Sequence, residues 1–173
     1  MKFSYIGSEG FFIKHVLTGM CVKDTAIIQS SDLRNWGSLS YVELSDNCLA
    51  PAAQFRFLNT SAIINIKRQG CLAGLNRPFN GYNLNMFYLY VDAFSPYRDA
   101  CTAINAIAPT SWGGLSTRIY NVPTPLCAVN ATFPELRDKK GVDPYLNLTP
   151  DCSDTANKRF HFGKFFSLTN SGL

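Results

Sequence analysis

Charge is scarce in this 173-residue chain: 16% of its residues are Asp, Glu, Lys or Arg, against 46% hydrophobic. Such a composition is globular and excludes an intrinsically disordered segment. The net charge of +4 is mild, and the densest charged run, residues 135–140 (ELRDKK), carries both signs. A nucleic-acid-binding face concentrates one sign, so no nucleic-acid partner is expected. Histidine is almost missing, with only His15 and His161, and no two cysteines stand in CxxC spacing. That leaves no ligand set for zinc, and neither a metal nor a cofactor is expected. No GxSxG occurs and neither histidine lies in a triad context, so the chain reads as a non-enzyme. No unbroken apolar run approaches the roughly 18 residues of a membrane span, so no membrane insertion is expected. The first ten residues, MKFSYIGSEG, lack the apolar core of a signal peptide.

What is present is periodic. Residues 41–48 (YVELSDNC) return as residues 145–152 (YLNLTPDC), and residues 94–101 (FSPYRDAC) fit between them once aromatics are allowed in the Tyr and Leu slots. Cys48, Cys101 and Cys152 are thus spaced by about fifty residues, and a repeat of this kind sets architecture before any propensity argument begins. A second pattern precedes the first. Ile13-Lys14-His15-Val16 leads to Cys21, Ile63-Ile64-Asn65-Ile66 to Cys71, and Ile119-Tyr120-Asn121-Val122 to Cys127, with the Ile eight positions before the Cys each time. Alternating β-branched residues indicate a half-buried strand. Val22, Leu72 and Ala128 then follow the three cysteines. A third pattern closes the units: Phe55-Arg56-Phe57 after Cys48 and Phe160-His161-Phe162 after Cys152, with both rings of each pair on one strand face. The middle copy, residues 102–112, is degenerate; Trp112 with Ser111, in TSWGG, is a loop candidate for a ligand contact but reads rather as a core residue of that closing strand.

Further strands fit Ala26-Ile27-Ile28-Gln29 and residues 85–91, so each unit holds about four strands and the chain about twelve. With turn residues between strands and no long amphipathic helical run, the expectation is an all-β closed fold. It forms one domain over residues 1–173, with repeats at about 11–57, 62–112 and 118–162. Six cysteines allow fifteen connectivities. Only Cys21–Cys48, Cys71–Cys101 and Cys127–Cys152 give every repeat one equivalent bridge, each stabilising by roughly 3–4 kcal/mol in the chain-entropy picture. Both ends run into partial copies of the pattern, which reads as a segment cut from a longer array. The even cysteine count and three sequons, at Asn59, Asn130 and Asn147, point to an oxidising setting and glycosylation. The protein is expected to be secreted, or the extracellular part of a cell-surface protein.

Three such repeats, with the Ile-x-x-Val…Cys opening, the Leu-x-x-x-Cys segment and the aromatic closing strand, resemble the ricin-type β-trefoil lectins over about residues 3–162. The resemblance implies a β-trefoil, and a sugar site built from an Asp just past the first Cys, a stacking aromatic in the next hairpin and a Gln-x-Trp in the closing strand. Here Lys23 stands in the Asp slot with Asp24 one place late, and Ala73 and Val129 fill the other two slots. Gln54-Phe55-Arg56-Phe57 and residues 158–162 replace Gln-x-Trp. Candidate ligand-binding residues are therefore Asp24; Trp36 with Asp32, Arg34 and Asn35; and Tyr82 with Asn80 and Asn83, where an aromatic face and planar polar groups meet in polar, glycine-containing segments. Glycan binding to a glycan or cell-surface glycoprotein is the leading expectation. The alternative is an adhesion or receptor ectodomain whose long loops contact a protein partner. His15 fills a slot held elsewhere by Asn65 and Asn121, so it is read as structural; His161 is expected to face solvent. Asp46, Asp99 and Asp151, beside the second cysteines, read as turn residues.

Overall fold

The computed structural model describes residues 10–28, 39–59, 62–78, 85–92, 106–119, 122–130 and 146–164. Among them are twelve strands: β1 (Phe11–His15), β2 (Cys21–Ile28), β3 (Leu39–Ser45), β4 (Phe55–Asn59), β5 (Ala62–Asn65), β6 (Gly70–Pro78), β7 (Asn85–Asp92), β8 (Ala108–Pro109), β9 (Leu115–Thr117), β10 (Leu126–Asn130), β11 (Leu146–Thr149) and β12 (Phe160–Lys164). Helix is limited among them to two 3₁₀ turns, Pro51–Ala53 and Ala156–Lys158. The fold is all-β.

Every pairing is antiparallel. β1–β2–β3, β5–β6–β7 and β9–β10–β11 each run as a meander. Strand β4 pairs with both β1 and β5, and β8 pairs with β9. β12 lies along β1, with Phe11 opposite Lys164 and His15 opposite Phe160. β7 also pairs with β3 and β11, so the meanders share one curled sheet.

Period-two burial places the core. Ile13 and Ile63 of the opening strands are fully buried, as are Val22, Leu72 and Ala128 directly after the three cysteines. Phe55 and Phe160 of the closing strands join the same cluster with Val42, Leu44, Leu146 and Leu148. Burying side chains of this size is worth about 1.5–3 kcal/mol each. His161, between Phe160 and Phe162, faces solvent as alternation requires.

Register corrects two placements. Cys21 lies opposite Lys14 and Cys71 opposite Ile64, each seven positions on, whereas Cys127 lies opposite Ser116, eleven positions back. The third opening strand is therefore Leu115–Thr117, and not the Ile119…Val122 stretch that its pattern imitates. Val122 N instead donates to Ile119 O at 3.0 Å. Pro123 and Pro125 follow and can donate nothing to a ladder. In the degenerate closing strand, Ala108 pairs with Ser116 as Arg56 pairs with Ile64 and His161 with Lys14. Ile107, fully buried, thus takes the place of Phe55 and Phe160. Trp112 lies beyond this strand, half-buried in the turn between β8 and β9, and not in the core.

Disulfides Cys21–Cys48 and Cys127–Cys152 tie the start of β2 and of β10 to the turn after β3 and after β11, as expected. Cys71 is also disulfide-bonded, and Cys101 lies outside the described residues. The two bridged turns are built alike. Asn47 N donates to Ser45 Oγ and Leu49 N to Asn47 Oδ1; Asp151 N donates to Thr149 Oγ1 and Ser153 N to Asp151 Oδ1. Asp151 is a turn residue, and its counterpart is Asn47 and not Asp46.

Candidate functional site

Of the residues singled out from the sequence, Asp32, Arg34, Asn35, Trp36, Asn80, Tyr82 and Asn83 lie outside the described residues, as does Asp99. Asp24 is described, and it points inward: it is 2% exposed. Its Oδ1 accepts from Ala26 N at 3.1 Å and from Ser40 Oγ, and Arg68 Nε lies 3.5 Å from Oδ2. A register shift in β2 between Asp24 and Ile28, with Ala26 at φ 58°, turns the backbone so that its amide reaches the carboxylate. Asp24 therefore ties β2 to β3 and to the β5–β6 turn. Its lone pairs are used inside the protein, a correction to its reading as a ligand-facing residue. Asn130 stands at the end of β10, half-buried, with Oδ1 shielded from solvent. Asn147 sits in β11 between β10 and β7, its Oδ1 accepting from Leu148 N at 2.8 Å. Asn59 ends β4.

The polar slot of the opening strands is structural. His15 Nε2 contacts Asn157 O at 2.7 Å and Nδ1 contacts Thr18 Oγ1 at 2.9 Å. Asn65 makes the corresponding pair: Nδ2 donates to Ala52 O at 2.8 Å, and Oδ1 accepts from Arg68 N at 3.0 Å. Each side chain satisfies the carbonyl of a 3₁₀ turn and closes its own strand-to-strand turn. Asn121, the third residue assigned to this slot, lies outside the described residues, and register puts buried Thr117 there instead.

The charged groups near the C-terminal turn are also engaged. Lys158, 6% exposed, places Nζ 3.2 Å from Asp151 Oδ2 and 3.4 Å from both oxygens of Ser153. Hydrogen bonds from Ser153, with help from Lys158, hold the Asp151 carboxyl down at about 2. Arg159 grips Asp154 with two parallel hydrogen bonds, Nε to Oδ1 at 2.6 Å and Nη2 to Oδ2. That contact lowers the Asp154 pKa and raises that of Arg159.

The described feature best shaped to receive something is the turn after β8. Thr110 organises it: its N donates to Gly114 O at 2.9 Å, its O accepts from Gly113 N, and its Oγ1 accepts from Gly114 N at 2.7 Å. Gly113, at φ +95°, adopts a conformation side chains resist, and its O accepts from Phe160 N at 2.8 Å, which pins the turn to β12. The benzo edge of the Trp112 indole folds back onto Gly114: a Cβ there would sit 2.5 Å from Cη2. Alongside is a shallow depression of about 150 Å³ lined by Pro109, Gly113, Gly114, Phe160, His161 and Phe162. Phe162 continues into a cluster with Phe11 and Phe57, with ring centroids 4.8–5.8 Å apart. The repeat pattern assigns Trp112 to the core, because the middle closing strand lacks its aromatic, and the structure places it in this turn instead. The available signal was the TSWGG context, where two glycines leave room for a ring to fold back. Among the described residues no three His, Cys, Asp or Glu side chains converge as a metal site would, and no helix is long and apolar enough to cross a membrane.

No family model matches the chain, and no curated protein matches it in sequence. Several solved structures are similar, two of them as follows. One is a salivary protein from Culex quinquefasciatus of the Cysteine and Tryptophan-Rich (CWRC) family, 14% identical, with a TM-score of 0.54 over 91% of this chain and 94% of that one. The other is the solution structure of the mdaA-1 domain, 16% identical, with a TM-score of 0.53 over 90% and 89%. At these identities the likeness establishes a shared fold between each of them and this disulfide-bonded all-β chain.

Proposed function

We propose that the chain is an extracellular β-trefoil of ricin-like build that recognises glycans through aromatics carried on its loops. The trefoil reading is supported by three meanders alternating with the β4–β5, β8–β9 and β12–β1 pairings, and by bridges at matching positions in the first and last units. Disulfides at this density favour an oxidising, extracellular setting. The glycan reading rests on one observation above others: Trp112 is held half-exposed on a glycine turn beside a ring-sized depression. A sugar presents C–H groups on one face, and a rigid indole receives that face at little entropic cost. Trp36 and Tyr82 are the further loop aromatics expected from the sequence. A glycan-array screen of the protein with Trp112→Ala, Trp36→Ala and Tyr82→Ala alongside tests the reading. Binding lost in one variant locates the site, and silence across the array sinks it.

A second reading, protein recognition on a trefoil scaffold, is favoured by Val16, Leu17 and Leu49. These apolar side chains are 52%, 61% and 67% exposed on two turns next to the Cys21–Cys48 bridge. An array that stays silent while Leu17→Ser and Leu49→Ser abolish binding to cells would establish it.

A further inference from the structure

We propose that the outer wall of β12, between Phe12 and Trp112, binds an acidic sugar residue, carboxylated or sulfated. This inference rests on the glycan reading above and names the ligand class of that site. Strand register assembles the wall. Phe12 lies opposite Gly163 and Lys14 opposite His161 across β1 and β12. On the other flank of β12, the Gly113 carbonyl accepts from Phe160 N and brings the Trp112 turn alongside. The outer edges of two aromatic rings fill the space that a Cβ would need at two glycines of this wall: Phe12 at Gly163, and Trp112 at Gly114. A side chain at either glycine would collide with that ring. His161, exposed between them, lines the depression.

Size and charge narrow the ligand. A depression of about 150 Å³ is well under the roughly 300–1,000 Å³ of sites that enclose a whole small molecule. It suits one ring docked by its face, with the rest of a chain in solvent. The lining supplies glycine backbone and aromatic surface but no carboxylate. Lys14 Nζ stands 5.3 Å from the Phe12 ring centroid, and no carboxylate of the described residues lies within ion-pair distance of it. The acids nearest in sequence to β12 are already held, Asp151 by Lys158 and Asp154 by Arg159. An ammonium resting on a ring, beside an exposed imidazole, is a donor pair for an anionic substituent. A neutral sugar could hydrogen-bond to these donors but would leave the ammonium charge without a counter-charge.

The test compares neutral glycans with their sialylated, uronate-containing and sulfated counterparts, using the full chain and the variants Trp112→Ala, Trp112→Phe and Lys14→Gln. The expected result is binding to acidic members, weakened at least tenfold by Trp112→Ala and by Lys14→Gln and by raised salt, and retained by Trp112→Phe. Selectivity among the acidic members separates carboxylate from sulfate as the recognised group. Binding of neutral glycans alone, or acidic binding that ignores both Trp112→Ala and Lys14→Gln, overturns this inference and leaves the lectin reading standing. Binding of no glycan overturns both. Thermal melts of each variant exclude misfolding as the cause of a loss.

Discussion

The described residues of 11–59 and of 115–164 follow a similar plan with different side chains. Both open on a strand whose penultimate residue faces the paired cysteine, bridge that cysteine to a hydroxyl-and-Asx turn, pass through one 3₁₀ turn, and close on Phe-x-Phe. What recurs is the order of strands, bridge and turns, not the side chains. Where the first unit has His15 the last has Thr117; where the first has Asp24 the last has Asn130; and Asp151 stands in for Asn47. The lesson lies in these substitutions, because the partners differ in number. His15 spans two elements, while Thr117 Oγ1 reaches only the Arg118 carbonyl at 3.4 Å. Asp24 has three partners, while Asn130 Oδ1 has no hydrogen bond.

The bridges are where the units should behave alike. Their closed loops span 27 and 25 residues, so Cys21→Ala/Cys48→Ala and Cys127→Ala/Cys152→Ala should each cost roughly 3–4 kcal/mol. Denaturant midpoints that differ by much more than the error would break the equivalence. The buried carboxylate is where they should diverge most. Asp24→Leu removes the carboxylate to which Ser40 and the Ala26 amide donate and beside which Arg68 lies, and should cost about 3 kcal/mol. Asn130→Leu removes a shielded oxygen that lacks a hydrogen bond and should be neutral, or stabilise by up to about 1 kcal/mol. Equal losses in the two variants would mean that burial alone, and not partner count, sets the cost.

The opening strands sharpen the point at smaller amplitude. His15→Leu should cost about 2 kcal/mol by orphaning the Asn157 carbonyl, His15→Asn about half that, and Thr117→Val under about 1 kcal/mol. Thermal or urea unfolding reads all three. The smallest effect is a pH dependence confined to one unit. The Asp151 carboxyl is lowered from the ordinary 3.8 to about 2, so it binds protons more weakly folded than unfolded. Its contribution is complete above about pH 4 and is lost as pH falls toward 2. Stability followed over that window should decline less steeply in Asp151→Asn, and Asn47→Ala should leave the slope unchanged. An unchanged slope in Asp151→Asn would place the acid sensitivity elsewhere.

Much of the architecture could be read from residue order. Cysteine spacing announced the two described bridges, the Phe-x-Phe pairs announced β4 and β12, and the apolar residue after each cysteine announced the core. The third opening strand could not be read, because Ile119, Asn121 and Val122 copy the pattern while Pro123 and Pro125 forbid the pairing. The site was legible only in outline. Asp24 looked like a displaced ligand residue and is a buried junction, since its partner Arg68 comes from a turn more than forty residues away. Trp112 looked like core because a ring was sought for a strand that Ile107 completes.

By itself, then, the sequence determined what is local or periodic: strand alternation, the turn chemistry of Ser45–Asn47 and Thr149–Asp151, and the loop lengths that make the bridges possible. Those features depend on neighbours a few residues apart, whose geometry the backbone dictates. Only the tertiary structure decided register, and with it which polar side chains are satisfied and which ring is left facing solvent. A strand's register is a choice among pairings of similar local quality, and it is settled by distant residues, as when Phe160 and Gly163 receive His15 and Phe12 from the far end of the chain.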